Sequence, residues 1–241
     1  MSRFRKLPPP VEGAHPLYPA SVGEAVATQK ALRERIDLTN RFGDIRTIAG
    51  VDVGYDINLN HSRAAVALLA FPSLELLEVR IASVPTGFAY VPGLLSFREI
   101  PAILEALAQL SAPPDLLMVD GQGVAHPRRL GIAAHLGLVT DLPSIGVAKS
   151  RLVGTHEEPG PNKGDSTPLF HHADLIGVVL RSRERVKPLY VSPGHRVDID
   201  TAVELTLRCL TRYRLPEPTR LADKYSKVGV ALPELRQRTT R

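Results

Sequence analysis

Two aspartates sit where a folding chain resists putting them. Asp52 falls in the middle of GVDVGY and Asp120 closes LLMVD, and both segments otherwise read as apolar β-strands. A carboxylate among such side chains is costly to bury unless it is paired, hydrogen-bonded or bound to a metal. Asp120 is followed directly by Gly121-Gln122-Gly123, a loop whose missing side chains let a ligand approach the backbone. Strand tips in α/β sheets are where ligands usually bind.

The pattern around these positions predicts the elements. Apolar residues at three- and four-residue spacing mark a helix from Val22 to Leu38, with Gln29, Lys30 and Arg33 to Arg35 facing water or a phosphate backbone. Three β-type segments follow, Thr47 to Val53, Arg63 to Phe71 and Leu74 to Ile81, as a meander opening a sheet. A helix near Ser96 to Leu110, a strand Leu116 to Val119, a helix near Arg129 to Leu138 and a strand Ser144 to Val147 then alternate, which implies parallel pairing. Residues 156–168 are almost all turn formers and read as a surface loop or an unstructured excursion. Strands Leu175 to Leu180 and Leu189 to Ser192 and a helix Val197 to Tyr213 complete the series. The expectation is an α/β fold, a mixed β-sheet flanked by helices, compatible with ribonuclease H-like architecture. One catalytic domain over 21–228 would lie between a Pro-rich arm, 1–20, and a basic tail, 229–241.

Glu99 stands early in the helix after YVPGLLSFRE, where the tight VPG turn fixes how the helix presents it. Three carboxylates can therefore converge. Such clusters without a Cys or His ligand pattern suit hard cations, Mg²⁺ with Mn²⁺ able to substitute, which also bridge to phosphate oxygens. Alone, each acid reads equally well as a solvated or helix-capping side chain; together they favour a metal site. Thirty Lys and Arg against 25 Asp and Glu give a net charge of +5, which suits a polyanionic partner or merely a soluble surface. The single cysteine, Cys209, excludes an intramolecular disulfide, and no apolar run approaches the length of a membrane span, so a soluble, cytoplasmic protein is expected, with monomer the default.

The run from Thr86 to Gly154, containing TGFAYVPGLLSFREIPAILEAL and PDLLMVDGQGVAHPRRLGIAAHLGLVTDLPSIGVAKSRLVG, closely resembles the endonuclease V family. VDVGYD at Val51 to Asp56 and YRLPEPTRLADKYS at Tyr213 to Ser226 resemble it too. The resemblance implies a ribonuclease H-like fold and a DNA-repair endonuclease. Such an enzyme hydrolyses the second phosphodiester on the 3′ side of deoxyinosine, leaving a 3′-hydroxyl and a 5′-phosphate, with Mg²⁺ as cofactor. Carried over by position, Asp52, Glu99 and Asp120 are metal ligands, and Lys149 orients water or stabilises phosphate charge. Asp223 takes a fourth position where some members have His. Two readings stay open for it: metal ligation, direct or through water, and a solvated place on a basic helix.

The same resemblance makes Tyr90, Val91 and Pro92 a strand-separating wedge, with Ala89 where the family often has Pro. Gly93, Leu95, Gly121, Gly123, His126 and Ile132 become a pocket for the flipped hypoxanthine, with backbone N–H groups of the two loop glycines reading the base. Gln122 stands where many members have His. Arg128 and Arg129 are placed to meet phosphates beside the lesion. Inosine-containing RNA is a rival substrate, because the sequence does not locate a contact to the 2′-hydroxyl. A noncatalytic binder and a dimeric junction resolvase are the other classes considered; the full set of acids counts against the first and the lack of a long apolar helix face against the second.

Overall fold

The computed structural model describes residues 16–228. Five helices and eight strands run α1 (Val22–Arg33), β1 (Thr47–Asp56), β2 (His61–Ala70), β3 (Leu76–Pro85), α2 (Leu95–Ala108), β4 (Leu116–Val119), α3 (Ile132–Thr140), β5 (Ser144–Ala148), β6 (Ser166–His171), β7 (Asp174–Leu180), β8 (Leu189–His195), α4 (Ile199–Arg208) and α5 (Glu217–Val228). All eight strands form one sheet in the order β3-β2-β1-β4-β5-β8-β7-β6. The β1–β4 and β4–β5 pairs are parallel and the others antiparallel. This is the expected mixed sheet, with parallel pairing confined to the alternating half.

Strand periodicity sorts the core onto two faces. Ala49, Val51, Leu117 and Val119 point to one face and pack with Ile100, Ile103, Leu107, Ala133 and Leu136 of α2 and α3. Ile48, Leu116 and Met118 point to the other and join Ala202 and Leu205 of α4, while Leu221 and Tyr225 of α5 pack on Ala65, Ala67 and Leu69 of β2. Leu17, at the described end of the N-terminal segment, enters the first of these clusters. The expected tail, 229–241, lies outside the described residues, as do positions 1–15 of the arm.

Several boundaries differ from the sequence expectation for local reasons. Helix α1 ends at Arg33 rather than Leu38. Helix α3 starts at Ile132 because Arg129 has φ +58°, a left-handed conformation that cannot begin a right-handed helix. Helix α4 is shorter at both ends than the expected Val197 to Tyr213, starting where Asp198 caps the amide of Thr201. The segment 156–168 is not unstructured: buried Arg181 donates to the Gly160 and Pro159 carbonyls and to Glu158, and β6 begins inside it at Ser166. Strand β6 escaped detection because it is a sheet edge carrying Pro168, and an edge strand tolerates a missing amide.

Candidate active site

β1 presents Asp52 on the same face as Gly50 and Gly54, two residues away on either side. A Cβ on Gly50 would sit 1.9 Å from the Pro218 carbonyl oxygen and one on Gly54 3.1 Å from that of Ser226. The two glycines let α5 lie directly on β1, and α5 in turn brings Asp223 and Ser226 over Asp52. Asp120 follows directly on the neighbouring β4 and continues the β1 ladder, its amide donating to the Val51 carbonyl at 2.9 Å. Carboxylate oxygens of Asp52, Asp120 and Asp223 lie within 4.8 Å of one another, so the fourth expected position does join the cluster.

Glu99 does not belong to that compact trio. It stands close enough to feel it. Burial, then repulsion from Asp52 and Asp120, raises its carboxyl to about 8, so at neutral pH it holds a proton. Burial also raises Asp120, to about 6, although contact with the Lys149 ammonium works against this. For Asp223 burial pulls the same way, but hydrogen bonds from Lys149 (2.5 Å) and Lys227 (2.7 Å) outweigh it and hold the carboxyl below its ordinary value. Lys149 rises from the end of β5 and bridges Asp120 and Asp223; burial opposes its charge, and the two carboxylates more than restore it.

The donor set fits a divalent cation. Three aspartates converge within one ion's reach, and buried Asp120 Oδ2 has the ammonium against it but no well-aligned hydrogen bond. Ser226 donates its hydroxyl to Asp52 Oδ2 and fixes that carboxylate from behind. Ser226 was not foreseen, although a GxDxG stripe on a strand signals a closely packed helix above the acid.

A cavity of about 450 Å³ opens beside the aspartates, walled by Gly93, Leu95, Gly121, His126 and Ile132, with Tyr90, Val91 and Pro92 at its rim. The rim is a type II turn: Pro92 supplies the fixed φ, Gly93 has φ +79°, and the Leu94 amide donates to the Val91 carbonyl at 2.9 Å. Tyr90 is 69% exposed. Gln122 also lines the cavity; its Nε2 donates to the Ser150 carbonyl, leaving Oε1 buried without a hydrogen-bond partner.

Five of the expected residues have partners within the protein. Gly123 does not line the cavity; its amide donates to Ser192 Oγ at 2.8 Å, and a Cβ there would strike the Pro193 carbonyl. His126 lines it, but both ring nitrogens are committed, Nδ1 accepting from the Arg128 amide and Nε2 facing the Gly93 carbonyl at 3.0 Å. Burial, then the Arg128 charge, lowers its pKa to about 4, so the ring is neutral, with its proton on Nε2. Arg128 does not reach outward: its guanidinium holds the Gly93 carbonyl and Gln29. Arg129 pairs with Asp174 at 2.8 Å. Gln29, expected to face water or phosphate, is buried and donates to the Gly93 carbonyl at 2.9 Å. Its helical spacing from buried Ala25 and Leu32 already placed it on the inner face.

Fold and site together define an α/β enzyme with a carboxylate cluster for a divalent cation. A family model described as Endonuclease V matches residues 30–224. The endonuclease V of Rippkaea orientalis is 55% identical over 206 residues, 86% of this chain and 90% of that protein. The crystal structure of endonuclease V from Streptomyces avermitilis superposes with a TM-score of 0.84 at 43% identity, covering 91% of this chain and 96% of that one. Endonuclease V of Ciona intestinalis, crystallised with a 24mer DNA containing an inosine followed by a ribo-adenosine, superposes with a TM-score of 0.75 at 26% identity, covering 86% of this chain and 97% of that one. The chain belongs to the endonuclease V family and is an endonuclease.

Proposed function

We propose that this endonuclease recognises inosine in a polynucleotide and hydrolyses the second phosphodiester on its 3′ side, leaving a 3′-hydroxyl and a 5′-phosphate. The observation that carries the reading is one cavity lined both by an apolar recess and by Asp52 and Asp120 of the aspartate cluster. A flipped base entering between Leu95 and Ile132 brings its own backbone toward the aspartates. Tyr90 and Pro92 at the rim fill the gap left in the stack. Gly121 lets the Ile132 wall close against the loop, since a Cβ there would meet Ile132 Cγ2 at 2.5 Å and push that wall into the recess.

Asp52, Asp120 and Asp223 would hold Mg²⁺ or Mn²⁺, with Glu99 joining once it loses its proton. The cation supplies charge neutralisation and polarisation of a phosphate oxygen. Lys149, already poised between two carboxylates, places an ammonium beside the reacting phosphate. The Ser226 hydroxyl keeps the Asp52 carboxylate oriented throughout.

The test is Mg²⁺-dependent cleavage of an end-labelled duplex with one deoxyinosine, beside a deoxyadenosine duplex and an Asp120→Ala variant. A single nick one bond beyond the inosine's 3′ neighbouring phosphodiester, lost in the variant, is expected; absence of an inosine-dependent nick overturns the reading. The ribo-adenosine after the inosine in the Ciona complex favours running a matched RNA oligonucleotide alongside. Cleavage of the RNA alone would replace DNA by RNA as the substrate.

A further inference from the structure

A second recess continues from the catalytic cavity. It encloses about 540 Å³ and shares Lys149, Ser150 and Arg151 with the first, but none of the wedge or base-pocket residues. Its opposite wall is the β7–β8 connection, with Arg185 and Lys187, and Tyr190 of β8. The cations here are unequally engaged. Lys149 is neutralised by Asp120 and Asp223, and Arg181 by Glu158 and surrounding carbonyls. Arg151 and Lys187 are exposed and make no ion pair among the described residues, and Arg185 meets only the exposed Glu184 at 3.3 Å, a contact of little strength in water.

The two walls are held at fixed separation. Arg214 donates to the Lys149 carbonyl on one side (2.8 Å) and to the Lys187 and Pro188 carbonyls on the other (2.8 and 2.9 Å). Arg181 pins the adjoining loop through the Pro159 and Gly160 carbonyls, both at 2.9 Å. A rigid basic trough ending at the catalytic lysine matches the backbone of a nucleic-acid strand, whose phosphates bind without regard to sequence.

We infer that this trough carries the strand on the 3′ side of the cut, with Arg151, Arg185 and Lys187 on successive phosphates. The polarity rests on the proposed function: if the base pocket takes the lesion and cleavage falls 3′ to it, the strand that passes Lys149 is the 3′ arm. The trough thus extends the footprint several nucleotides beyond the scissile bond.

The experiment uses an Arg185→Gln/Lys187→Gln double variant, both residues being exposed. Single-stranded deoxyinosine substrates carry either a long 3′ arm or one trimmed to two nucleotides past the cut, and a parallel pair varies the 5′ arm. For the unaltered enzyme, trimming the 3′ arm should raise KM about tenfold, and the variant should show that higher KM on both lengths. Trimming the 5′ arm should affect both proteins alike. A variant that still distinguishes 3′ lengths, or loses its 5′ dependence instead, overturns the assignment. Fluorescence anisotropy with an inosine-free 30-mer across salt concentrations separates this from failure of the proposed function. Two lost phosphate contacts should lower the slope of log Kd against log salt by about 1.4, and an unchanged slope overturns the trough even if no inosine-dependent cleavage is seen.

Discussion

At the residue scale, the site is a negotiation among four carboxyl groups and the Lys149 and Lys227 ammonium groups in a space too dry to hold every negative charge. Glu99 illustrates the sign. Its folded-state pKa of about 8 lies above the ordinary value of 4.5, so the metal-free protein gains stability from this group at low pH and loses it as pH rises through 8. Glu99→Gln should therefore raise the Tm of metal-free protein at pH 8 and leave it nearly unchanged at pH 4. If Glu99 joins the cation as proposed, binding displaces the same proton, so affinity should climb with pH up to about 8, with proton release visible as a buffer-dependent enthalpy in titration calorimetry. Gly121→Ala should raise KM for an inosine substrate at least about tenfold while leaving cation affinity intact, because the added methyl pushes Ile132 into the recess and not into the aspartate cluster.

At the element scale, the decisive contact is α5 lying on β1. Its closeness depends on Gly50, where any side chain would strike the Pro218 backbone rather than a yielding side chain. Gly50→Ala should cost about 1–3 kcal/mol in denaturant unfolding. It should also weaken cation binding, since the helix that is pushed away carries Asp223 and Ser226. Stability loss with unchanged cation affinity would mean that α5 does not position the acid. The expected element series ended at Tyr213 and gave α5 no bounds, although one reading of Asp223 put it on a basic helix; Pro218 lies in the first turn of α5, where Pro is readily accommodated. Four-residue β4, by contrast, was recovered to the residue because an unbroken LLMV bounded by polar and glycine residues leaves little choice.

At the scale of the whole molecule, the cluster draws one carboxylate from each of three elements far apart in sequence, so folding and cation binding are linked. Mg²⁺ or Mn²⁺ at about 100 times its Kd should add about 2.7 kcal/mol to stability, and an Asp120→Ala variant should gain almost none. Equal stabilisation of both proteins would place the cation elsewhere. Among the described residues no helix is long and apolar enough to cross a membrane.

The sequence by itself determined the α/β pattern, the order of most elements, the two aspartates in apolar strands and the motifs shared with endonuclease V, because these are properties of neighbouring residues and of period. Only the tertiary structure decided which of the acids form a compact cluster, that Glu99 stands just outside it, and that Ser226 braces Asp52. It also decided that Arg128 and His126 hold the Gly93 carbonyl at the cavity, that Gly123 binds Ser192, and that Arg129 pairs with Asp174. The physical reason is common to all of these. Which partner satisfies a polar group depends on what packs across from it, and residues tens of positions away bring that partner only when the sheet and helices close.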